Sequence, residues 1–148
     1  MTRRNLLATP LAAWERDGLK AALVKAGLPA DDVGDARLLF WRFETTDIPV
    51  GFGGLEIHGS DALLCSLVTL PPLRQIRMAA AMVAVLETEG RALKCRALYL
   101  LTASDANFFG RLGYAPCARS DVPEAIRASR QFAEFCAPTA AAMVKRID

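Results

Sequence analysis

The sequence predicts an α/β (α+β) domain in which a mixed, mostly antiparallel central sheet is flanked by helices and contains one parallel strand pair. Three strand-like runs, residues 36–44, 50–57 and 63–70, are separated only by the short segments Thr45-Thr46-Asp47-Ile48-Pro49 and His58-Gly59-Ser60-Asp61. Polar turns that short imply an antiparallel meander. A long apolar helix then runs to Gly90, and residues 97–102 form a continuous apolar run, the mark of a strand buried on both faces. Strand, helix and strand in that order make a right-handed parallel crossover, so the meander feeds a parallel pair.

The chain has 148 residues, 53% hydrophobic and 23% charged, which fits one domain spanning 1–148 with a core of useful size. A net charge of +2, with arginine and lysine scattered and not interleaved with aromatics, argues against a nucleic-acid partner. The four cysteines, at 65, 95, 117 and 136, stand far apart with no CxxC pair, and His58 is the only histidine, so metal-ligand spacing is absent. Cys65, inside an apolar strand, reads as a small buried hydrophobe. The N-terminal segment lacks an apolar stretch followed by a small-residue cleavage site, and no apolar run approaches a membrane span. A soluble, cytoplasmic protein without a membrane partner is the expectation.

The spacing predicts an amphipathic helix over 11–26, with Leu11, Trp14, Leu19, Leu23 and Ala26 near one face, Gly27 as cap and Pro29 as stop. Gly18 weakens its middle. In the second strand, Gly51, Gly53 and Gly54 mark a bulge or a place where something packs close to the backbone. The central helix carries Ile76, Ala79, Ala80, Val83 and Leu86 at intervals of three and four, with Met78, Met82 and Val85 widening the apolar stripe. After the parallel strand, Ser104 is the expected N-cap of a short helix with Ala106, Phe108, Phe109 and Leu112, closed by Gly113. A further helix is expected from Asp121 onward, and after Pro138 a last strand over 140–147.

Both ends of the central helix oppose its dipole. Arg74 and Arg77 stand at the positive N-terminus and Glu87 and Glu89 in the negative last turn, each placement costing roughly 0.3–1 kcal/mol relative to the reverse. An anion held by the first-turn N–H groups turns the arginines into a clamp. Two long side chains extending into water is the simpler reading.

This order of elements, with Asn107-Phe108-Phe109-Gly110-Arg111-Leu112-Gly113-Tyr114 after the parallel strand, resembles the GNAT N-acetyltransferase superfamily. The family form of that segment is an aromatic pair, two residues, an apolar residue, then glycine and an aromatic. Within it, Tyr99-Leu100-Leu101-Thr102, Pro123-Glu124-Ala125-Ile126-Arg127-Ala128 and Phe132-Ala133-Glu134-Phe135-Cys136 resemble the acetyltransferases of bacterial arsenic-resistance operons.

The resemblance implies that acetyl-CoA lies where the strand 63–70 splays from the strand 97–102, with backbone near Leu67, Val68 and Leu70 pairing with the pantetheine arm. It implies a pyrophosphate cradle of the form Arg/Gln-x-x-Gly-x-Gly/Ala, here Arg74, Gln75, Ile76, Arg77, Met78 and Ala79, continued by Ala80. Arg77 departs from that pattern, because a glycine there lets phosphate oxygens approach the backbone. Phe109 departs as well, since many relatives place a tyrosine there to protonate the leaving thiolate. Phe109 and Asn107 are further coenzyme contacts on the same grounds.

Acetyl transfer to an amine needs a base and an oxyanion donor. The backbone N–H near Val68 is the candidate donor and Glu56 the candidate base, with Glu44 and His58 as alternatives; each acid or base is also readable as a solvated strand-end residue. Arg37 or Arg42 is available for a substrate carboxylate or arsonate. Two functions follow: an N-acetyltransferase acting on a small amine, an amino acid or arsenic-bearing analogue, or a catalytically impaired binding protein whose phosphate loop has drifted. A homodimer is the default expectation for the fold.

Overall fold

The computed structural model describes residues 6–11, 16–25, 38–45, 48–70, 76–103, 105–129, 132 and 140–148. In chain order the elements are β1 (Leu7–Pro10), α1 (Arg16–Lys25), β2 (Leu38–Thr45), β3 (Ile48–His58), β4 (Asp61–Thr69), α2 (Ile76–Ala92), β5 (Ala97–Thr102), α3 (Ala106–Arg111), β6 (Ala115–Cys117), a 3-10 turn (Arg119–Asp121), α4 (Glu124–Arg127) and β7 (Ala141–Arg146). The described strands form one sheet of seven in the order β1-β2-β3-β4-β5-β7-β6.

The expected meander is present, and β1 through β4 pair antiparallel with their sequence neighbours. Strand β4 then pairs parallel with β5 across the α2 crossover. Two strands had no counterpart in the periodicity. Edge strand β1 is four residues long and ends in Pro10, which is tolerated only where no sheet partner needs its N–H. Strand β6 is three residues long, too short to show alternation.

The first helix is shorter than its apolar spacing suggests. Leu11 is not helical: its N–H donates to the Phe40 carbonyl at 2.9 Å, prolonging the β1–β2 pairing. Residues 12–15, 26–37 and the expected cap at Gly27 lie outside the described residues, as do Ser104 and most of the segment from 130 to 139.

Strand alternation sorts the core onto two faces. On one face Ala62, Leu64, Leu98, Leu100 and Met143 meet Met82, Val83 and Leu86 of α2 and Phe109 of α3. Burying each of these large side chains stabilises the fold by roughly 1.5–3 kcal/mol. On the other face, Phe40, Phe52, Cys65 and Val68 pack on Leu19, Ala22 and Leu23 of α1. Farther along that second face, Leu63 and Ala142 pack on Val122, Ile126 and Phe132 of the C-terminal segment. The seam between those two clusters falls on β4, between Leu63 and Cys65.

The glycines of β3 are explained by contact. A Cβ on Gly51 would run into the Val68 carbonyl oxygen, one on Gly53 would lie 2.9 Å from Leu86 of α2, and one on Gly54 would lie 2.7 Å from the Phe40 ring. Gly53 makes room for the helix; Gly51 makes room for the next strand.

Glu87, which opposes the α2 dipole, has partners. It accepts hydrogen bonds from the Tyr114 hydroxyl at 3.1 Å and from Lys145 Nζ at 3.1 Å, and Lys145 also donates to the Leu112 carbonyl at 2.8 Å. This network fastens α2, β7 and the turn after α3. Burial, with the neighbouring Glu87 carboxylate, raises the Tyr114 hydroxyl far above the ordinary tyrosine range.

Candidate active site

The parallel pair is short. Only Asp61, Ala62 and Leu63 of β4 pair with Ala97, Leu98 and Tyr99 of β5; past Leu63 no residue of β4 pairs with β5. The divergence coincides with a bulge, because Gly54 pairs with Cys65 while Phe52 pairs with Val68, so Ser66 and Leu67 together oppose Gly53. One extra residue bends a strand and strengthens its twist. The two strands therefore open as a wedge whose edges carry main-chain donors and acceptors, the kind of edge to which an extended ligand adds.

Past the divergence, Leu67 is half-buried and Val68 buried on β4, and Leu70, just after the strand, is half-buried. The Leu70 N–H donates to the Val50 carbonyl at 2.7 Å, so that amide is occupied by the sheet. Strand alternation then turns the Thr69 N–H to the opposite, wedge side.

Helix α2 starts at Ile76, with no acidic residue in its first turn and Met78, Ala79 and Ala80 half-buried. Arg77 occupies a helical backbone position there. The first four N–H groups of an α-helix have no intrahelical partner, which makes a helix start a place for an anion. Arg74 and Gln75 lie outside the described residues, as do the side chains of Ile76 and Arg77.

Across the wedge, Asn107 is exposed on α3, and Phe109 is 7% exposed. The Phe109 ring meets Phe108 edge-on at 5.0 Å and Tyr114 at 5.8 Å. Phe109 is thus part of the α2-side core in this structure.

One lateral row of paired residues crosses six strands: Leu38, Glu56, Leu63, Tyr99, Val144 and Ala115. Glu56 therefore sits one strand from the point where the wedge opens, on the face shared by α1 and the C-terminal segment. It is 1% exposed, and its Oε1 lies 2.6 Å from His58 Nε2. The two residues read as alternatives in the sequence form one hydrogen-bonded unit.

Glu44, the third candidate, is opposite Pro49 near the other end of β3. That is roughly 20 Å along the strand from Glu56. Arg42 is half-buried opposite Phe52, and Arg37 lies outside the described residues.

Sequence reasoning missed Tyr99, whereas the glycines of the second strand had pointed to a bulge or a close approach, and the irregularity falls opposite Gly53. Burial, and to a lesser degree the nearby Asp61, raises the Tyr99 hydroxyl above its ordinary value, so it stays protonated on the face it shares with Glu56. The expected strand stopped at Ile57 and left His58 in the turn; the observed strand runs to His58, and the i, i+2 spacing on it puts Glu56 and His58 on one face. Among the described residues no helix is long and apolar enough to cross a membrane.

No curated protein sequence matches the chain. Solved structures do. N-acetylglutamate synthase from Neisseria gonorrhoeae, complexed with coenzyme A and N-acetyl-glutamate, superposes with a TM-score of 0.79 at 12% identity over 99% of this chain and 36% of its own. The chain thus spans about a third of that synthase. A GNAT-family acetyltransferase from Staphylococcus aureus gives a TM-score of 0.75 at 12% identity, covering 97% of this chain and 100% of its own. Rv2747 from Mycobacterium tuberculosis, in complex with CoA and NLQ, gives 0.75 at 16% identity, covering 95% and 98%. At such identities these likenesses establish the fold. The model of the acetyltransferase (GNAT) family matches residues 5–114, well over half of the sequence, and the chain belongs to that family.

Proposed function

We propose that this protein is an N-acetyltransferase that moves the acetyl group of acetyl-CoA to the amine of a small molecule, with an amino acid as the favoured acceptor class. The observation that carries the reading is the wedge: a parallel pair released after three residues, beside a bulge, with the α2 N-terminus following β4. Family membership supports the donor. The structural neighbour that holds coenzyme A together with N-acetyl-glutamate supports an acylated small-molecule product.

In this reading the backbone of Leu67, Val68 and Leu70 flanks the pantetheine arm. The first turn of α2, from Ile76 and Arg77 through Met78, Ala79 and Ala80, receives the pyrophosphate with Arg74 and Gln75 ahead of it. Asn107 and Phe109 form the opposite wall. The amine nitrogen attacks the thioester carbonyl carbon, Glu56 takes the proton that nitrogen loses, and the carbon–sulfur bond breaks to free the thiolate, which is protonated by water. The amide next to Val68, that of Thr69, is the wedge-facing donor for the oxyanion. An arsenic-bearing amino-acid analogue is a narrower form of the same acceptor class and rests on the resemblance of the C-terminal segment. A cytoplasmic homodimer is the form we expect to carry the activity.

The test is release of coenzyme A thiol from acetyl-CoA in the presence of a panel of L-amino acids, amines and an arsenic-bearing amino acid. Saturable release with one acceptor, lost in Glu56→Gln, supports the reading. The second reading, a fold-conserving binding protein without turnover, is favoured by Phe109, whose buried ring offers no proton to a leaving thiolate. Coenzyme binding without thiol release for any acceptor would select it.

A further inference from the structure

The Glu56–His58 contact assigns a role that the reaction above leaves open. At 2.6 Å between Nε2 and Oε1 a proton must lie between the two atoms, and both side chains are nearly sealed, 6% exposed for His58 and 2% for Glu56. A neutral imidazole carries one N–H. With Glu56 ionised, that hydrogen is on Nε2, leaving Nδ1 bare. The carboxylate is flanked in the sheet by the side chains of Leu38 and Leu63, which are hydrocarbon, so His58 is the side-chain partner seen for it among the described residues.

Position separates the roles of the two residues. Glu56 is opposite Leu63, where the parallel pairing ends, whereas His58 is opposite Asp61, two residues farther from the wedge opening. His58 therefore stands behind Glu56 as seen from the wedge.

Resting on the reading of Glu56 as the base, we propose that His58 is a positioning residue: its Nε2–H holds Oε1 and fixes the orientation of the carboxylate, leaving Oε2 to accept the proton of the acceptor amine. The proton lost by the amine ends on Oε2 and leaves after product release, and His58 neither gains nor loses one.

Because the chain has one histidine, a sample labelled with 15N-histidine reports a single pair of ring nitrogens. The expected spectrum shows Nε2 protonated and Nδ1 bare, reverting to mixed tautomers in Glu56→Leu. A protonated Nδ1 with bare Nε2, or a tautomer indifferent to Glu56→Leu, overturns the contact. In thiol-release assays with the best L-amino acid acceptor, His58→Leu lowers kcat about tenfold or more and leaves the acetyl-CoA KM within about twofold, while His58→Gln, which keeps an N–H near the Nε2 position, restores most of it. Wild-type kcat in a folded His58→Leu overturns the positioning role and leaves the acetyltransferase reading intact. An inactive wild type fails that reading and takes the positioning role with it, even where the tautomer is as expected.

Discussion

Leu63 and Tyr99 are the last residues that pair between β4 and β5, and both lie in the lateral row that contains Glu56. The end of the parallel ladder and the candidate base are therefore fixed by one register. Three packing features hold that register: Gly51 against Val68, Gly53 against α2, and the bulge at Ser66–Leu67.

Gly51→Ala tests the first of these. Its Cβ would meet a backbone oxygen, which no rotamer change can relieve, so β4 must shift. The expected cost is about 1–3 kcal/mol, read as a lower midpoint in thermal or urea unfolding. Unchanged stability contradicts the packing account. Gly110→Ala is the contrasting case: on α3, with nothing within 4 Å of the new Cβ, it should stabilise by about 0.5–1 kcal/mol.

The Glu87–Tyr114–Lys145 network predicts a dependence on alkaline pH. Tyr114 has its hydroxyl pKa raised by burial and by Glu87, so its contribution is fully present below the unfolded value of about 10 and is lost as pH climbs beyond it. Unfolding free energy should therefore fall above about pH 10, and less steeply in Tyr114→Phe. Glu87→Ala, which strands the Tyr114 hydroxyl and Lys145, should cost about 1–3 kcal/mol at neutral pH. Equal stability of Glu87→Ala and the parent would remove the network from the account.

Much of this was legible in the chain. The meander was visible because its turns are short and polar, and β5 because its continuous apolar run serves two cores at once, Leu98 and Leu100 on one face, Tyr99 and Leu101 on the other. The ends of the chain were less legible: a four-residue edge strand and a three-residue β6 leave no period to detect. Within the site, the strands bordering the wedge were placed correctly, and the glycines of β3 signalled a bulge or a close approach; that the extra residue is on β4, at Ser66–Leu67, shows only when two strands are set in register. Glu87 looked misplaced because dipole arguments see one helix at a time, whereas its partners come from residues 114 and 145.

Arg74 offers a test that rests on the sequence alone. Arg74→Ala should weaken acetyl-CoA binding about 10- to 100-fold, the usual loss for a charge-assisted hydrogen bond, with little change in unfolding midpoint. Unaltered affinity removes Arg74 from the pyrophosphate cradle. Arg77→Gly discriminates the two functional readings: tighter binding than the parent means that Arg77 obstructs the diphosphate, and weaker binding means that it ion-pairs with it.

The most direct measurement is a calorimetric titration of the purified protein with acetyl-CoA, beside coenzyme A and a buffer blank. The wedge and the α2 N-terminus predict saturable, micromolar binding at one site per chain, accompanied by thermal stabilisation. No heat and no stabilisation at millimolar ligand would contradict acetyl-CoA as the donor, and with it the acetyltransferase reading.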